Sequence, residues 1–201
     1  MSFRKGFVWG SASASYQVEG AAFEDGKGLS VWDMLSHQPG KIHANENGDV
    51  ACDHYHRYQE DVNLMQNMGL QAYRMSISWP RVIPDGIGKV NEKGLDFYDR
   101  LIDKLLASQI TPWVTLFHWD YPYSLFLKGG WLNPDSPKWF EEYTKVIINR
   151  FSDRVTHWIT QNEPQCYIGL GHYDGDHAPG LKMGLKEMLL ANHHSMIAHG
   201  L

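Results

Sequence analysis

The chain has 201 residues, 43% hydrophobic and 20% charged, the composition of one ordered globular domain rather than a disordered or fibrous chain. Its formal net charge is −5 and no basic cluster exceeds two adjacent residues, which argues against nucleic acid, whose phosphates need clustered Lys and Arg. Two cysteines are too few for a disulfide framework, no segment approaches the roughly 18 apolar residues of a membrane span, and the N-terminus lacks the apolar stretch of a signal peptide, so a cytoplasmic protein with no membrane partner is expected.

Residues 7–10 read as a first strand, followed by a long segment over 11–52. Asp53 is placed to cap a helix running to about Met68, with Tyr55, Tyr58, Val62 and Met65 at three- and four-residue spacing and Gly69 as its stop. A second strand is predicted over 72–78. Asn91 opens a second helix with Leu95, Tyr98, Leu101, Ile102 and Leu105 on one face. A third strand over 112–117 is apolar on both faces, as a strand buried under helices should be. Ser136-Pro137 starts a third helix, with Pro in the first turn where its missing N–H costs nothing. A fourth strand over 157–160 runs into Asn162. A fourth helix follows from about Gly184, with Leu185, Met188, Leu189 and Met196 leading towards His199.

Four β-α units in sequence, with long loops after strands and short ones before them, predict an α/β fold: the first four β-α units of a (β/α)8 TIM barrel. The rival is a doubly wound open sheet. Its Gly-x-Gly-x-x-Gly fingerprint is absent from Gly10-Ser11-Ala12-Ser13-Ala14-Ser15, and the barrel is preferred.

The strand ends carry a consistent chemistry. Gln17 follows the first strand, Arg74 lies in the second, His118-Trp119-Asp120 follows the third and Asn162-Glu163-Pro164 the fourth. Amides that both donate and accept suit the hydroxyls of a neutral sugar better than lone charges do. Glu163 taken alone could be a helix or turn cap; in this company it reads as a working carboxyl. His54 and His56, and His193, His194 and His199, lack metal-pair spacing, so no metal and no cofactor are expected. Trp9, Trp32, Trp79 and Trp158 are expected in the core.

Several longer segments resemble glycoside hydrolase family 1, the β-glucosidase family, across the whole chain. They are FVWGSASASYQVEG, DHYHRYQEDV, YRMSISWPRVIP, VNEKGLDFYDRLID, TLFHWDYP, TQNEP, GDHAPG and NHHSMIAHG, in the family's order. The resemblance implies a retaining β-glycosidase of β-glucosidase type, acting on terminal non-reducing β-D-glucosyl residues of a small β-glucoside or oligosaccharide. Glu163 would be the general acid and base, and Asn162 would bind the sugar 2-hydroxyl. Gln17 and His118 would bind other hydroxyls, Trp119 would line the pocket, and Arg74 would keep the nucleophile ionised.

Such an enzyme needs a second carboxylate about 5–5.5 Å from the first. In the family it lies late in the chain, in a Glu-Asn-Gly motif. Glu46-Asn47-Gly48 matches in letters but follows no barrel strand, and is read as a decoy. Residues 1–201 are therefore expected to be the N-terminal half of one truncated barrel domain, lacking the nucleophile, inactive alone, and partnered by the missing C-terminal half. The alternatives are a 6-phospho-β-glucosidase and a non-catalytic carbohydrate-binding module. Gln161 stands where the family has an apolar residue, and Tyr121 and Tyr123 replace its Leu and Gln, so the pocket's outer contacts are expected to differ.

Overall fold

The apolar runs pair side by side in chain order. In the computed structural model, which describes residues 2–201, β1 (Gly10–Ala12), β2 (Ala72–Ser76), β3 (Thr111–Phe117) and β4 (His157–Gln161) form one parallel sheet in the order β1-β2-β3-β4. A doubly wound sheet reverses direction at a switch point. Here each strand lies beside its predecessor, the arrangement of the first four β-α units of a (β/α)8 barrel.

Between β1 and β2 come α1 (Ser15–Val18), α2 (Val31–Ser36) and α3 (His54–Asn67). Next are α4 (Trp79–Val82) and α5 (Glu92–Ala107) before β3, then α6 (Tyr123–Phe126) and α7 (Ser136–Phe151) before β4. A π-helical segment, Cys166–Asp174, and α8 (Leu185–Gly200) follow β4. No helix among the described residues is long and apolar enough to cross a membrane.

The first strand falls later than the apolar run predicts. Its ladder is Gly10↔Ala72, Ser11↔Tyr73 and Ala12↔Arg74, while Phe7, Val8 and Trp9 stay exposed. Close backbone approach is the reason: a Cβ on Gly10 would sit 2.8 Å from the Ala72 carbonyl oxygen, so small residues make the pairing. Phe3, Phe7 and Trp9 gather on one another instead, with centroids 4.5 to 4.8 Å apart, and Trp9 is not the core residue expected.

Asp53 precedes α3 but does not cap it. Its φ of 55° lies in the left-handed region, and its carboxylate meets His56 Nδ1 at 2.6 Å instead. Gly69, at φ 73°, follows the helix end as predicted. On α5 all five predicted core residues are buried. On α8, which forms where expected, Leu185, Leu189 and Met196 are exposed, Met188 packs partly against the core, and Ala191, His194, Ser195 and Ala198 form the packed side. Both faces of α8 carry apolar residues, so period alone could not choose between them. The small side chains let α8 approach closely enough for the His194 ring to meet the Trp131 carbonyl at 2.8 Å.

The core lies between the sheet and the long helices. Trp79, fully buried, stacks on Tyr143 with centroids 4.9 Å apart, and each such aromatic contributes about 1.5–3 kcal/mol by leaving water. Tyr143 donates to the Leu116 and Ile77 carbonyls at 2.9 and 3.1 Å, tying α7 to two strand ends. Charged pairs are sealed inside, Lys27 with Asp33 and Arg81 with Glu19. Arg81 Nε donates to Glu19 Oε2 at 2.8 Å with side chains 1% and 6% exposed, Arg81 Nη2 donates to Gly20 O at 2.9 Å, and Tyr98 donates to Glu19 Oε1 at 2.6 Å.

Candidate active site

Asn162 is the hub of the strand-end residues. Its N–H continues the β3–β4 pairing by donating to Phe117 O at 2.9 Å. Arg74 Nη2 donates to its Oδ1 at 2.6 Å, which orients the amide so that Nδ2 faces His118 Nε2 at 3.1 Å and Glu163 Oε2 at 3.4 Å. Trp119 Nε1 donates to the Asn162 carbonyl at 2.8 Å. Arg74, His118, Trp119, Asn162 and Glu163, widely separated in sequence, thus form one connected group. Glu163 is exposed, and Cys166 Sγ lies 3.6 Å from the same Oε2 that faces Asn162. Glu163 (φ 44°) and Trp119 (φ 74°) both adopt the left-handed backbone, which is costly for side chains of this size and clusters at functional sites.

Gln17 joins them only across an open cleft of about 410 Å³, which it lines together with His118 and Trp119. Arg74, Asn162 and Glu163 lie outside that lining. Sequence reasoning missed much of the wall. Trp32, expected in the core, is only partly buried and lines the cleft. It stands between Tyr16 (5.9 Å) and His177 (5.6 Å), and His177 reaches Trp119 at 5.4 Å, giving a run of four rings. Glu46-Asn47-Gly48 also lines the cleft, after a 3-10 turn, His43–Asn45, not a strand. Gly48 is required there because a Cβ would fall 2.7 Å from the Tyr16 ring.

The departures from the family pattern lie mostly in packing. Tyr121 is buried against Trp79 and Trp131, with its hydroxyl 3.0 Å from Ser136 Oγ, so it makes no outer pocket contact. Tyr123 stacks on Phe126 at 5.8 Å. Gln161 accepts from Tyr167 at 2.8 Å and Ser195 at 2.9 Å, and donates to Ser195 O at 3.0 Å. This clasp joins β4, the π-helical segment and α8 two residues before Glu163. Gln161→Leu is expected to cost roughly 1–3 kcal/mol by stranding those partners; an unchanged urea midpoint would contradict it.

Among the described residues no group of three or more His, Cys, Asp or Glu is placed to hold a metal ion. His54 pairs with Asp61 at 2.6 Å, and His199 Nδ1 lies 2.6 Å from Thr160 Oγ1.

Two site groups titrate in opposite senses. Burial, aided by the Arg74 charge, pushes the His118 pKa down to about 4, which keeps the ring neutral and able to accept from Asn162. Burial pushes Asp120 up to about 7, against the Ser15 and Ser78 hydroxyls that favour its charged form. Asp120 holds its proton longer in the folded chain, so its contribution is complete at low pH and lost as pH rises from about 4 to 7. His118 takes a proton later in the folded chain, so its contribution is lost as pH falls from about 6.5 to 4. The two slopes oppose. Asp120→Asn is expected to leave stability rising with pH across that window, and His118→Gln to leave it falling; urea unfolding that gives parallel curves for both variants would refute this.

Comparison with known proteins agrees with this architecture. A sequence profile described as "Glycosyl hydrolase family 1" matches residues 1–201. The chain is 56% identical over 180 residues to the 1,4-beta-D-glucan glucohydrolase of Thermotoga neapolitana, covering 90% of this chain and 42% of that protein. It is 52% identical over 200 residues to beta-glucosidase A of Acetivibrio thermocellus, covering all of this chain and 44% of the relative. The beta-glucosidase from Thermotoga maritima, solved in complex with castanospermine, superposes with a TM-score of 0.96 at 51% identity, over 98% of this chain and 44% of that one. The chain belongs to glycosyl hydrolase family 1. It spans less than half the length of these relatives.

Proposed function

We propose that residues 1–201 form the N-terminal half of a single family 1 barrel domain and carry the acid/base side of a retaining β-glucosidase acting on terminal non-reducing β-D-glucosyl residues. The observation that carries this is the Asn162 hub. It holds the Glu163 carboxyl at the end of β4 beside a neutral His118, in contact with Arg74. Glu163 protonates the leaving-group oxygen and then, as a carboxylate, activates the water that hydrolyses the glycosyl intermediate. Asn162 Nδ2 is the donor for the sugar 2-hydroxyl, while Gln17 and His118 take other hydroxyls and Trp119 lines the pocket. Arg74 Nε is buried without a partner in the protein, a cationic donor suited to keeping a nucleophilic carboxylate ionised. In this reading the nucleophile belongs to a part of the barrel outside these 201 residues, which span less than half the length of the matched relatives.

The cleft has no Lys or Arg among its described lining residues, which favours an unphosphorylated sugar over a 6-phosphorylated one. The 201-residue chain alone is expected not to hydrolyse an aryl β-glucoside. Joined as a chimera to the C-terminal barrel half of the Thermotoga maritima relative, it is expected to hydrolyse the plain aryl glucoside in preference to its 6-phosphate. Turnover by the chain alone, lost on Glu163→Gln, would sink the division of the site. A folded chimera preferring the 6-phosphate would sink the substrate.

A further inference from the structure

A second, smaller space of about 10 Å³ adjoins the cleft, sharing Tyr16 and Gly48 with it and walled by Ser15, Glu19, Lys27, Ser78, Arg81 and Asp120 among others. Two polar atoms of that wall have no hydrogen-bond partner in the protein: Asp120 Oδ1 and Arg81 Nη1. Both residues are 1% exposed. The Ser78 hydroxyl also lies near the Asp120 carboxyl, and the other neighbours have partners of their own. Ser15 Oγ donates to Asp120 Oδ2 at 2.8 Å, Lys27 Nζ donates to Asp33 Oδ2 at 2.9 Å, and Glu19 takes Arg81 Nε and Tyr98.

An unpaired donor and an unpaired acceptor thus belong to residues walling one small space, about the volume that a single water requires. The charges around it exclude an ion. Arg81 and Lys27 repel a cation, and Glu19, Asp33 and Asp120 repel an anion. Water alone among small ligands can accept from Arg81 and still pair with Asp120 whether that group is a carboxylate or an acid.

We propose that the void is a binding site for one ordered water bridging Asp120 Oδ1 and Arg81 Nη1, and that this bridge makes Asp120 a positioning residue for Gln17 and Trp119. The helix α1, which carries Gln17, is pinned at both ends to the two sides of the void. Ser15 at its start is held by Asp120, and Glu19 just past its end is held by Arg81. Asp120 also directly follows His118-Trp119. The water joins the two pins. The groups facing Asp120 are Glu19 beyond α1, Lys27 and Asp33 around α2, Arg81 of α4, Tyr98 of α5 and Tyr143 of α7. The positioning role rests on the sugar-binding assignment of Gln17 and Trp119; occupancy of the void does not.

The test uses the 201-residue chain. Solution NMR is expected to show cross-relaxation between a long-lived water and the Arg81 guanidinium protons, lost in Asp120→Leu and retained in Asp120→Asn. The Gln17 side-chain amide and Trp119 indole signals are expected to move together with pH around the Asp120 midpoint near 7, and to lose that step in Asp120→Asn. No long-lived water in the wild-type chain overturns the site. A water with no shared titration of Gln17 and Trp119 overturns the positioning role. Should Asp120→Leu fail to fold, the wild-type and Asp120→Asn spectra still decide both points. An inactive chimera would count against the proposed function and leave these readings untouched.

Discussion

Glu163→Gln, placed in the chimera described above, is expected to lower turnover of an aryl β-glucoside with a poor leaving group by about a hundred- to ten-thousand-fold, the usual worth of a positioned proton donor. The amide keeps the shape of the carboxyl and its contacts with Asn162 and Cys166, so binding should change far less than the rate. The loss should depend on the leaving group. A strongly acidic phenol departs without protonation, so the first step is spared and only the water-activating second step suffers. Azide, which needs no general base, should restore turnover of such a substrate and yield a glycosyl azide with retained configuration. Rates measured across a series of phenols check this, and an equal loss for every leaving group with no azide rescue would remove Glu163 from the acid/base role.

Breaking the Glu19–Arg81 pair should be the most damaging change to folding. Arg81 is 1% exposed, and removing its counter-charge leaves a buried guanidinium, for which about 3–5 kcal/mol is typical. That is a large part of the roughly 5–15 kcal/mol that holds a domain together. Glu19→Ala also strips Tyr98 of its acceptor at 2.6 Å. The Tyr55 ring, 4.3 Å from the Arg81 guanidinium carbon, offsets only a little of the loss. The double variant Glu19→Leu/Arg81→Met removes both charges and should recover much of the stability, because the cost is that of a lone buried charge rather than of two missing contacts. Urea unfolding of the wild type, Glu19→Leu, Arg81→Met and the double variant decides; a double variant as unstable as the sum of its parts would refute this account.

The elements most legible in the sequence were those whose pattern is local and unambiguous. The five core positions of α5 repeat with helical spacing and are all buried, and the apolar run of β3 reads correctly because nothing competes with it. Glu163 and Asn162 were singled out not by their own neighbours but by the polar groups at the other strand ends and by the family resemblance. What escaped depended on distant partners. Gly10 pairs where Phe7 to Trp9 cannot because of the Ala72 carbonyl, which no local pattern encodes. Trp32 looks like a core residue until the fold sets it beside His177 and, through it, Trp119, and Tyr121 looks like a pocket residue until it turns into the core. Gln161 is a departure from a family pattern until Tyr167 and Ser195 are seen to answer it.

The left-handed backbone at Glu163 has a consequence for how this position can evolve. Glycine alone adopts φ near 44° without a steric cost, which for other residues is of the order of 1 kcal/mol or more. The carboxyl and the relaxed backbone are therefore in competition at one residue. Selection for a sturdier chain, blind to turnover, would favour glycine there. A family member with glycine at this site would relax the backbone and, on the role proposed for Glu163, would lose its acid/base, so the two demands on this residue pull in opposite directions.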